Sequence, residues 1–147
     1  MEWLLRSGIR SVVSLMEARE ESGADGRSAY VRVIESSAAR LGVACDWQRF
    51  EIHDMSVPEF ERMDEILAAI DSSIAAGQPV YAHCWGGRGR TGTVVGVYLI
   101  REGRATVDDF VDVIGTLRPP GAGPAPETAE QVDFVRRYVR SRSLVPS

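Results

Sequence analysis

Lysine and asparagine are absent from the 147-residue chain, and all 17 of its basic residues are arginines. Acidic residues outnumber the arginines, which gives a formal net charge of −4. A chain with this balance lacks the broadly basic surface that non-specific nucleic-acid binding requires. We therefore expect no nucleic-acid partner, and any anion-binding site has to be built locally.

The chain also has only two cysteines, Cys45 and Cys84, and only two histidines. Two cysteines are too few for a disulfide framework, and so few potential ligands argue against a structural zinc site. No apolar run approaches the roughly 20 residues that a membrane-spanning helix needs. These absences predict reduced thiols, no bound metal, no membrane association and a cytoplasmic location.

Length and apolar content predict one globular domain over residues 1–147, with a frayed tail over residues 142–147. Short β-branched segments alternate with longer segments of helical periodicity. Such alternation predicts an α/β fold, in which a mostly parallel sheet is flanked by helices on both faces and ligands bind beyond the carboxyl ends of the strands.

The predicted strands are 9–15, 43–52 and 79–83. Five helices are predicted. The first spans 30–41, the second begins at a Ser56–Glu59 capping box and ends at Gly77, the third is a buried helix that includes 94–100, and the last two span 106–117 and 127–140.

Cys84 stands at the carboxyl end of the third predicted strand and opens the segment CWGGRGRTG. Glycines at 86, 87 and 89 allow successive backbone N–H groups to point inward as a nest for an anion. The helix that follows adds the positive end of its dipole. Residues 84–90, called the cysteine loop below, therefore predict a site for a tetrahedral dianion such as a phosphoryl group.

Side chains around this loop supply the expected chemistry. Arg90, six positions after Cys84, can return to the rim of the loop and bind two phosphate oxygens in a bidentate contact. The same donors favour thiolate over thiol at Cys84, which makes the sulfur nucleophilic. His83 is expected to help hold the loop, and Thr91 can donate a hydrogen bond to the sulfur. The residues expected to surround the phosphate are Trp85, Gly86, Gly87, Arg88, Gly89 and Arg90.

The run of His83, Cys84, five residues, Arg90, Thr91 and Gly92 resembles the signature of the protein tyrosine and dual-specificity phosphatase superfamily. The similarity extends to GIRSVVSLMEARE near the start and to LRPPGAGPAPETAEQVDFV near the end. Asp54, thirty residues before the cysteine, matches the position where small dual-specificity-like members carry their general acid. The chain is thus similar to the small bacterial dual-specificity-like members.

The resemblance implies the cysteine phosphatase fold of the dual-specificity type, and it leaves open whether the usual N-terminal strand is missing or rebuilt. It implies that Cys84 attacks phosphorus while Asp54 protonates the leaving oxygen, and that water then hydrolyses a phosphocysteine. It also implies that no cofactor is needed and that Gln131 orients this water. The substrate would be a phosphorylated protein or a small phosphomonoester, and a monomer is the family default.

Alternative interpretations remain for the function and for Cys45. A rhodanese-type sulfurtransferase also uses a cysteine in an anion-binding loop, but it has no need of an acid such as Asp54. A non-catalytic phosphate-binding module would keep the loop without the chemistry, which the presence of Cys84, Arg90 and Asp54 disfavours. Cys45 is expected to pack in the core, with a protective disulfide to Cys84 as the alternative.

Overall fold

The computed structural model describes residues 1–21 and 29–144. These residues form an α/β fold around one sheet of three parallel strands in the order β2-β1-β3. The strands are β1 (Ser11–Ser14), β2 (Asp46–Arg49) and β3 (Val80–His83). The predicted class and the parallel sheet are confirmed, although each strand is shorter than its predicted segment.

The helices of the described residues are α1 (Glu2–Arg6), α2 (Ala18–Glu21), α3 (Ala29–Leu41), α4 (Phe60–Ala75), α5 (Gly89–Arg101), α6 (Phe110–Thr116) and α7 (Ala129–Ser141). The sequence pattern predicts neither α1 nor α2, because each is too short to show helical periodicity. Helix α6 begins later than predicted, since Thr106 and Asp109 close a turn in which the Thr106 N–H donates to the Asp109 carboxylate at 2.6 Å.

One face of the sheet packs on α4 and α5 and forms the main core. Val13 of β1 is fully buried there, and the hydroxyls of Ser11 and Ser73 hydrogen bond at 2.9 Å between β1 and α4. The strand period of two sends neighbouring side chains to opposite faces. The residues on this face therefore anchor the helix that leads into β3.

The opposite face is covered by the helices between β1 and β2. Val12 is as buried as its neighbour but lies outside the main core. Ser14 donates a hydrogen bond to Glu21 of α2, and the ring of Tyr30 in α3 lies 4.7 Å from that of His83 in β3. Helices thus flank both faces of the sheet, as the alternating pattern predicted.

The start of α4 departs from the sequence prediction. Glu59 precedes the helix with an extended backbone, and no side chain caps the first turn. The predicted Ser56–Glu59 capping box is therefore wrong. A capping box is found instead at α7, where Thr128 and Gln131 bond each other's backbone N–H groups. Because Ser56 does not begin α4, its carbonyl oxygen accepts a hydrogen bond from Gln131 instead, as described below.

Parallel strands separate the two cysteines. Cys45 precedes β2, whereas Cys84 follows β3, and the register pairs both strands with the same residues of β1. The thiols therefore lie at opposite edges of the sheet, about 16 Å apart along the strand direction alone. A disulfide needs Cα atoms within roughly 7 Å of each other. The protective Cys45–Cys84 bond within one chain is excluded.

The ends of the chain bear on two further expectations. Among the described residues no strand precedes β1, and α1 packs against α3. Within the segment predicted to be frayed, Arg142 contacts Asp64 at 2.5 Å and Leu144 packs against the core, while residues 145–147 lie outside the described residues. In the part of the chain that is described, no helix has the length and apolarity to cross a bilayer.

Two helical glycines provide a stability prediction. A Cβ at Gly96 of α5 would lie 2.9 Å from the Phe110 ring, whereas a Cβ at Gly115 of α6 would meet nothing within 4 Å. Gly96→Ala should therefore destabilise the fold by about 1–3 kcal/mol through overpacking. Gly115→Ala should be neutral or stabilise by up to about 1 kcal/mol through helix propensity. Urea unfolding of both variants tests this, and equal changes would contradict the packing.

Candidate active site

The cysteine loop leaves the carboxyl end of β3, and two side chains contact Cys84 there. Cys84 is buried, with 7% of its surface exposed. The Thr91 hydroxyl donates to its sulfur at 3.1 Å, and the His83 Nδ1 lies 3.3 Å from the Cys84 carbonyl oxygen. Burial lowers the pKa of His83. Both predicted supporting residues thus contact Cys84.

The backbone of the loop turns at Gly87, whose φ of 61° lies in the left-handed region that favours glycine. Arg118 donates from Nη1 to the Gly87 carbonyl at 2.5 Å and from Nη2 to the Ala122 carbonyl at 3.1 Å. This guanidinium therefore links the cysteine loop to the proline-rich loop (residues 119–127). Sequence reasoning did not select Arg118, although LRPP lies inside a segment that resembles the family.

Arg90 is buried at the start of α5, with only 2% of its surface exposed. Its Nη1 and Nη2 donate to the two Glu20 carboxylate oxygens at 2.6 and 2.8 Å. Nη1 also reaches the Ile52 carbonyl at 3.2 Å. A buried guanidinium is costly unless it is paired, and here the pairing is bidentate. Although burial alone would lower the pKa of Arg90, the Glu20 carboxylate raises it overall.

Glu20 is thus part of the site, although its local sequence does not single it out from the acidic residues beside it. It lies in the run EAREE, where its neighbours Glu17 and Glu21 are chemically the same. The contact with Arg90 spans 70 residues and lowers the pKa of Glu20. The acidic residues that follow the first strand in the family-like pattern were the only signal.

Asp54 also reaches Arg90. Its carboxylate lies 3.0 Å from Nη2, and 62% of its side chain is exposed. Glu20 and Ile52 thus accept three hydrogen bonds from the two Nη atoms, and Asp54 adds an ion-pair contact to Nη2. Of the two carboxylates on Arg90, Asp54 is the more exposed.

Arg88 is placed differently from the sequence-based expectation. Its guanidinium pairs with Glu127 at 3.0 Å and donates to the Pro124 carbonyl at 3.4 Å. The side chain therefore fastens the cysteine loop to the proline-rich loop, and its charge is neutralised there. Trp85, by contrast, projects from the loop with 76% of its surface exposed.

Gln131 lies behind the cysteine loop and is fully buried. A Cβ on Gly89 would come within 2.7 Å of its amide nitrogen, so any other residue at that position would have to displace the Gln131 amide. Across residues 1–21 and 29–144, no group of three or more His, Cys, Asp or Glu side chains is arranged to hold a metal ion. The arrangement joins a nucleophile, an anion cradle and a nearby carboxyl group.

A family model described as "Tc-R-P: Polymorphic toxin system, DSP-PTPase phosphatase" matches residues 1–104. This range contains Cys84, Arg90 and Asp54, and Gln131 lies beyond it.

Two curated relatives are uncharacterized proteins of Methanocaldococcus jannaschii, MJECL20 and MJ0215. They are 34% and 33% identical to this chain over 91 residues, which is 62% of the chain. The matched stretch covers 58% and 54% of their own lengths. The chain therefore spans less than two thirds of these relatives.

Solved phosphatase structures share the fold. Tk-PTP in its active form has a TM-score of 0.72 at 24% identity, covering 95% of this chain and 86% of its own. Kinase associated phosphatase, solved with its catalytic-site cysteine substituted by serine, has a TM-score of 0.73 at 18% identity, covering 97% and 75%. PTPMT1 in complex with PI(5)P has a TM-score of 0.70 at 19% identity, covering 97% and 83%. The dual-specificity type of cysteine phosphatase fold is confirmed.

Replacing Glu20 with Gln should destabilise the fold more at neutral than at acid pH. Because Arg90 lowers the pKa of Glu20 below its usual 4.5, the carboxylate stabilises the fold above that pH, and this contribution disappears as the pH falls through the lowered value. At neutral pH the wild type should exceed Glu20→Gln by at least about 1 kcal/mol in unfolding free energy.

Urea unfolding at neutral pH and well below pH 4.5 measures this difference. The exposed Glu35→Gln variant of α3 is the control and should match the wild type at neutral pH. A gap between wild type and Glu20→Gln that persists unchanged in acid would contradict the charged contact.

Proposed function

The chain belongs to the Tc-R-P family, which is described as a DSP-PTPase phosphatase of polymorphic toxin systems, and we propose that it hydrolyses phosphomonoesters through a phosphocysteine intermediate. One observation carries the proposal: the Cys84 sulfur accepts a hydrogen bond from Thr91 in a glycine-rich loop, and the Arg90 of that loop contacts Asp54 at 3.0 Å. A nucleophile, an anion-binding guanidinium and a candidate acid thus share one edge of the sheet.

In the proposed first step the Cys84 thiolate attacks phosphorus in line with the leaving oxygen. The S–P bond forms as the P–O bond breaks, and Asp54 gives its proton to the leaving oxygen. Backbone N–H groups of the cysteine loop and the Arg90 guanidinium stabilise the charge on the non-bridging oxygens.

In the second step water attacks the phosphocysteine. The new P–O bond forms as the S–P bond breaks, which returns the thiolate, and the ionised Asp54 accepts a proton from the water. Inorganic phosphate then leaves. Neither step uses a cofactor.

Arg90 requires a rearrangement before the first step. The substrate phosphate replaces the Asp54 carboxylate on Nη2, while the bidentate Glu20 contact keeps the guanidinium in place. Asp54, released from Arg90 and exposed to solvent, takes up a proton from the solvent and can then approach the leaving oxygen. In this scheme one guanidinium holds the acid while the site is empty and the phosphate while it is occupied.

Charge around the loop favours single phosphates. Arg88 is paired with Glu127 and Arg90 with Glu20, so neither offers an uncompensated cation to a polyphosphate. The exposed Trp85 ring next to the nucleophile can pack against an apolar leaving group. We therefore propose phosphotyrosine and phosphothreonine proteins as substrates, ahead of inositol polyphosphates. A monomer acting in the cytoplasm stays our prediction.

Phosphate release tests the function directly. Wild-type protein in mildly acidic reducing buffer should hydrolyse p-nitrophenyl phosphate and phosphotyrosine or phosphothreonine peptides faster than inositol polyphosphates, and Cys84→Ser should be inactive on all of them. If the wild type binds phosphopeptides without releasing phosphate, the chain is a phosphate-binding module. If it transfers sulfur from thiosulfate to cyanide instead, it is a sulfurtransferase.

The family description prompts a second experiment, which compares bacterial growth during expression of the wild type and of Cys84→Ser. Expression in a bacterial host should slow growth for the wild type and not for Cys84→Ser, because toxicity would follow from dephosphorylation. Equal growth of both strains at equal protein level would argue against a toxin that acts through this site.

The acid role of Asp54 has its own test. Asp54→Asn should lower kcat by roughly 10²- to 10⁴-fold and should remove the fall in rate on the alkaline side of the pH profile, where the wild-type acid is deprotonated. Asp108→Asn, an exposed change in the turn before α6, is the control and should keep the wild-type profile. An unchanged kcat and pH profile for Asp54→Asn would remove Asp54 from the mechanism.

A further inference from the structure

Gln131 joins three segments that are distant in sequence. Its Nε2 donates to the carbonyl of Ser56 at 3.1 Å, and its Oε1 accepts from the N–H groups of Glu127 and Thr128 at 3.0 and 3.1 Å. The amide also lies against the backbone of Gly89, where a Cβ would overlap it. One buried side chain thus touches the loop that carries Asp54, the cysteine loop and the start of α7.

The hydrogen-bond network fixes the orientation of this amide. Two backbone N–H donors point at one end of it and a carbonyl accepts from the other, so exchanging oxygen and nitrogen would set donor against donor. The amide oxygen then has both lone pairs engaged. It has no acceptor capacity left for a water, which does not suit the role in orienting water that the family resemblance implied.

Asp54 depends on its backbone for its position. Its side chain is mostly exposed, and its ion pair with Arg90 has to open when phosphate binds. The next residue, Met55, has a φ of 62°, which is strained for a side chain of this kind. Such a conformation persists only when its surroundings hold it. Within the turn the Ser56 N–H bonds the His53 carbonyl at 3.0 Å, and the Gln131 amide holds the Ser56 carbonyl from outside.

We propose that Gln131 is the positioning residue of the general acid: through the Ser56 carbonyl it holds the strained turn that places Asp54 over the cysteine loop. The inference rests on the proposed function, since Gln131 acts through Asp54 and touches no reacting atom. It also explains why the amide packs against Gly89, because this contact sets the distance between the acid turn and the loop that carries the nucleophile.

Two variants separate positioning from stability. Gln131→Glu keeps an oxygen for the two N–H groups at the start of α7, since Glu also suits a capping box, but it replaces the donor to Ser56 with a second acceptor. Thr128→Ala removes the cap hydroxyl that accepts from the Gln131 N–H at 3.2 Å, and leaves the Gln131–Ser56 bond. Thr128→Ala should lower the urea midpoint of unfolding, because the helix loses its cap, and should leave the kinetics unchanged.

The kinetic measurement is kcat/KM across aryl phosphates with leaving groups from dinitrophenol to phenol. A good leaving group departs without a proton, whereas a poor one needs the acid. Gln131→Glu should lose about 10- to 100-fold on phenyl phosphate and less than about 3-fold on dinitrophenyl phosphate, because only the acid step is affected. Thr128→Ala should follow the wild-type series throughout.

The double variant gives the sharpest test. In the Asp54→Asn background, Gln131→Glu should cause no further loss, because its effect passes through the missing acid. A uniform loss on all leaving groups, or a full further loss in that background, would overturn the proposal in favour of a structural or water-orienting role. If Gln131→Glu does not fold, Gln131→Met, which keeps the buried shape without hydrogen bonds, takes its place in both measurements.

Failure of this inference is distinguishable from failure of the proposed function. A wild type without turnover, or an Asp54→Asn variant with the wild-type leaving-group series, contradicts the function itself. Three results together would contradict only the positioning role. The wild type would be active, kcat/KM of Asp54→Asn would depend more steeply on the leaving group than that of the wild type, and Gln131→Glu would lose the same factor on every leaving group.

Discussion

The burial of one guanidinium organises this end of the molecule. Arg90 is removed from water almost completely, and a charge in that position is tolerated only with a partner that matches it in geometry as well as in sign. Glu20 supplies both, and it can do so because α2 follows directly after β1. The site therefore depends on the sheet in two ways: β3 delivers the cysteine loop, and β1 delivers the carboxylate that keeps its arginine in place.

The sequence predicted those parts of the site that are local. The spacing from Cys84 to Arg90 and the glycines between them sufficed for the loop, and the resemblance to the family added Asp54. Contacts that form only on folding were missed. Glu20 meets Arg90 across 70 residues and Arg118 meets Gly87 across 31, and the local sequence of neither residue shows which distant group it will contact.

The fold also divides into features that the sequence predicted and features that it did not. Alternating apolar patterns gave the parallel sheet and its longer helices, whereas α1 and α2 span too few residues to carry a period. The spacing of Ser56 and Glu59 predicts a capping box at the start of α4. The structure does not form it, because Glu59 precedes the helix with an extended backbone and no side chain caps the first turn. Arg88 is expected from the sequence among the residues around the phosphate, and its guanidinium pairs with Glu127 of a loop that is distant in sequence.

The separation of the two thiols has a consequence for how the protein responds to oxidation. Oxidation of a reactive cysteine stops at a reversible stage when a second thiol or a backbone nitrogen condenses with the sulfenic acid, and otherwise proceeds towards sulfinic and sulfonic acids. With Cys45 at the far edge of the sheet, and its pKa raised by burial and by Asp46, this chain holds no resolving thiol of its own. Return of an oxidised Cys84 to the thiol therefore depends on thiols supplied by other molecules, and thus on the redox state of the surroundings.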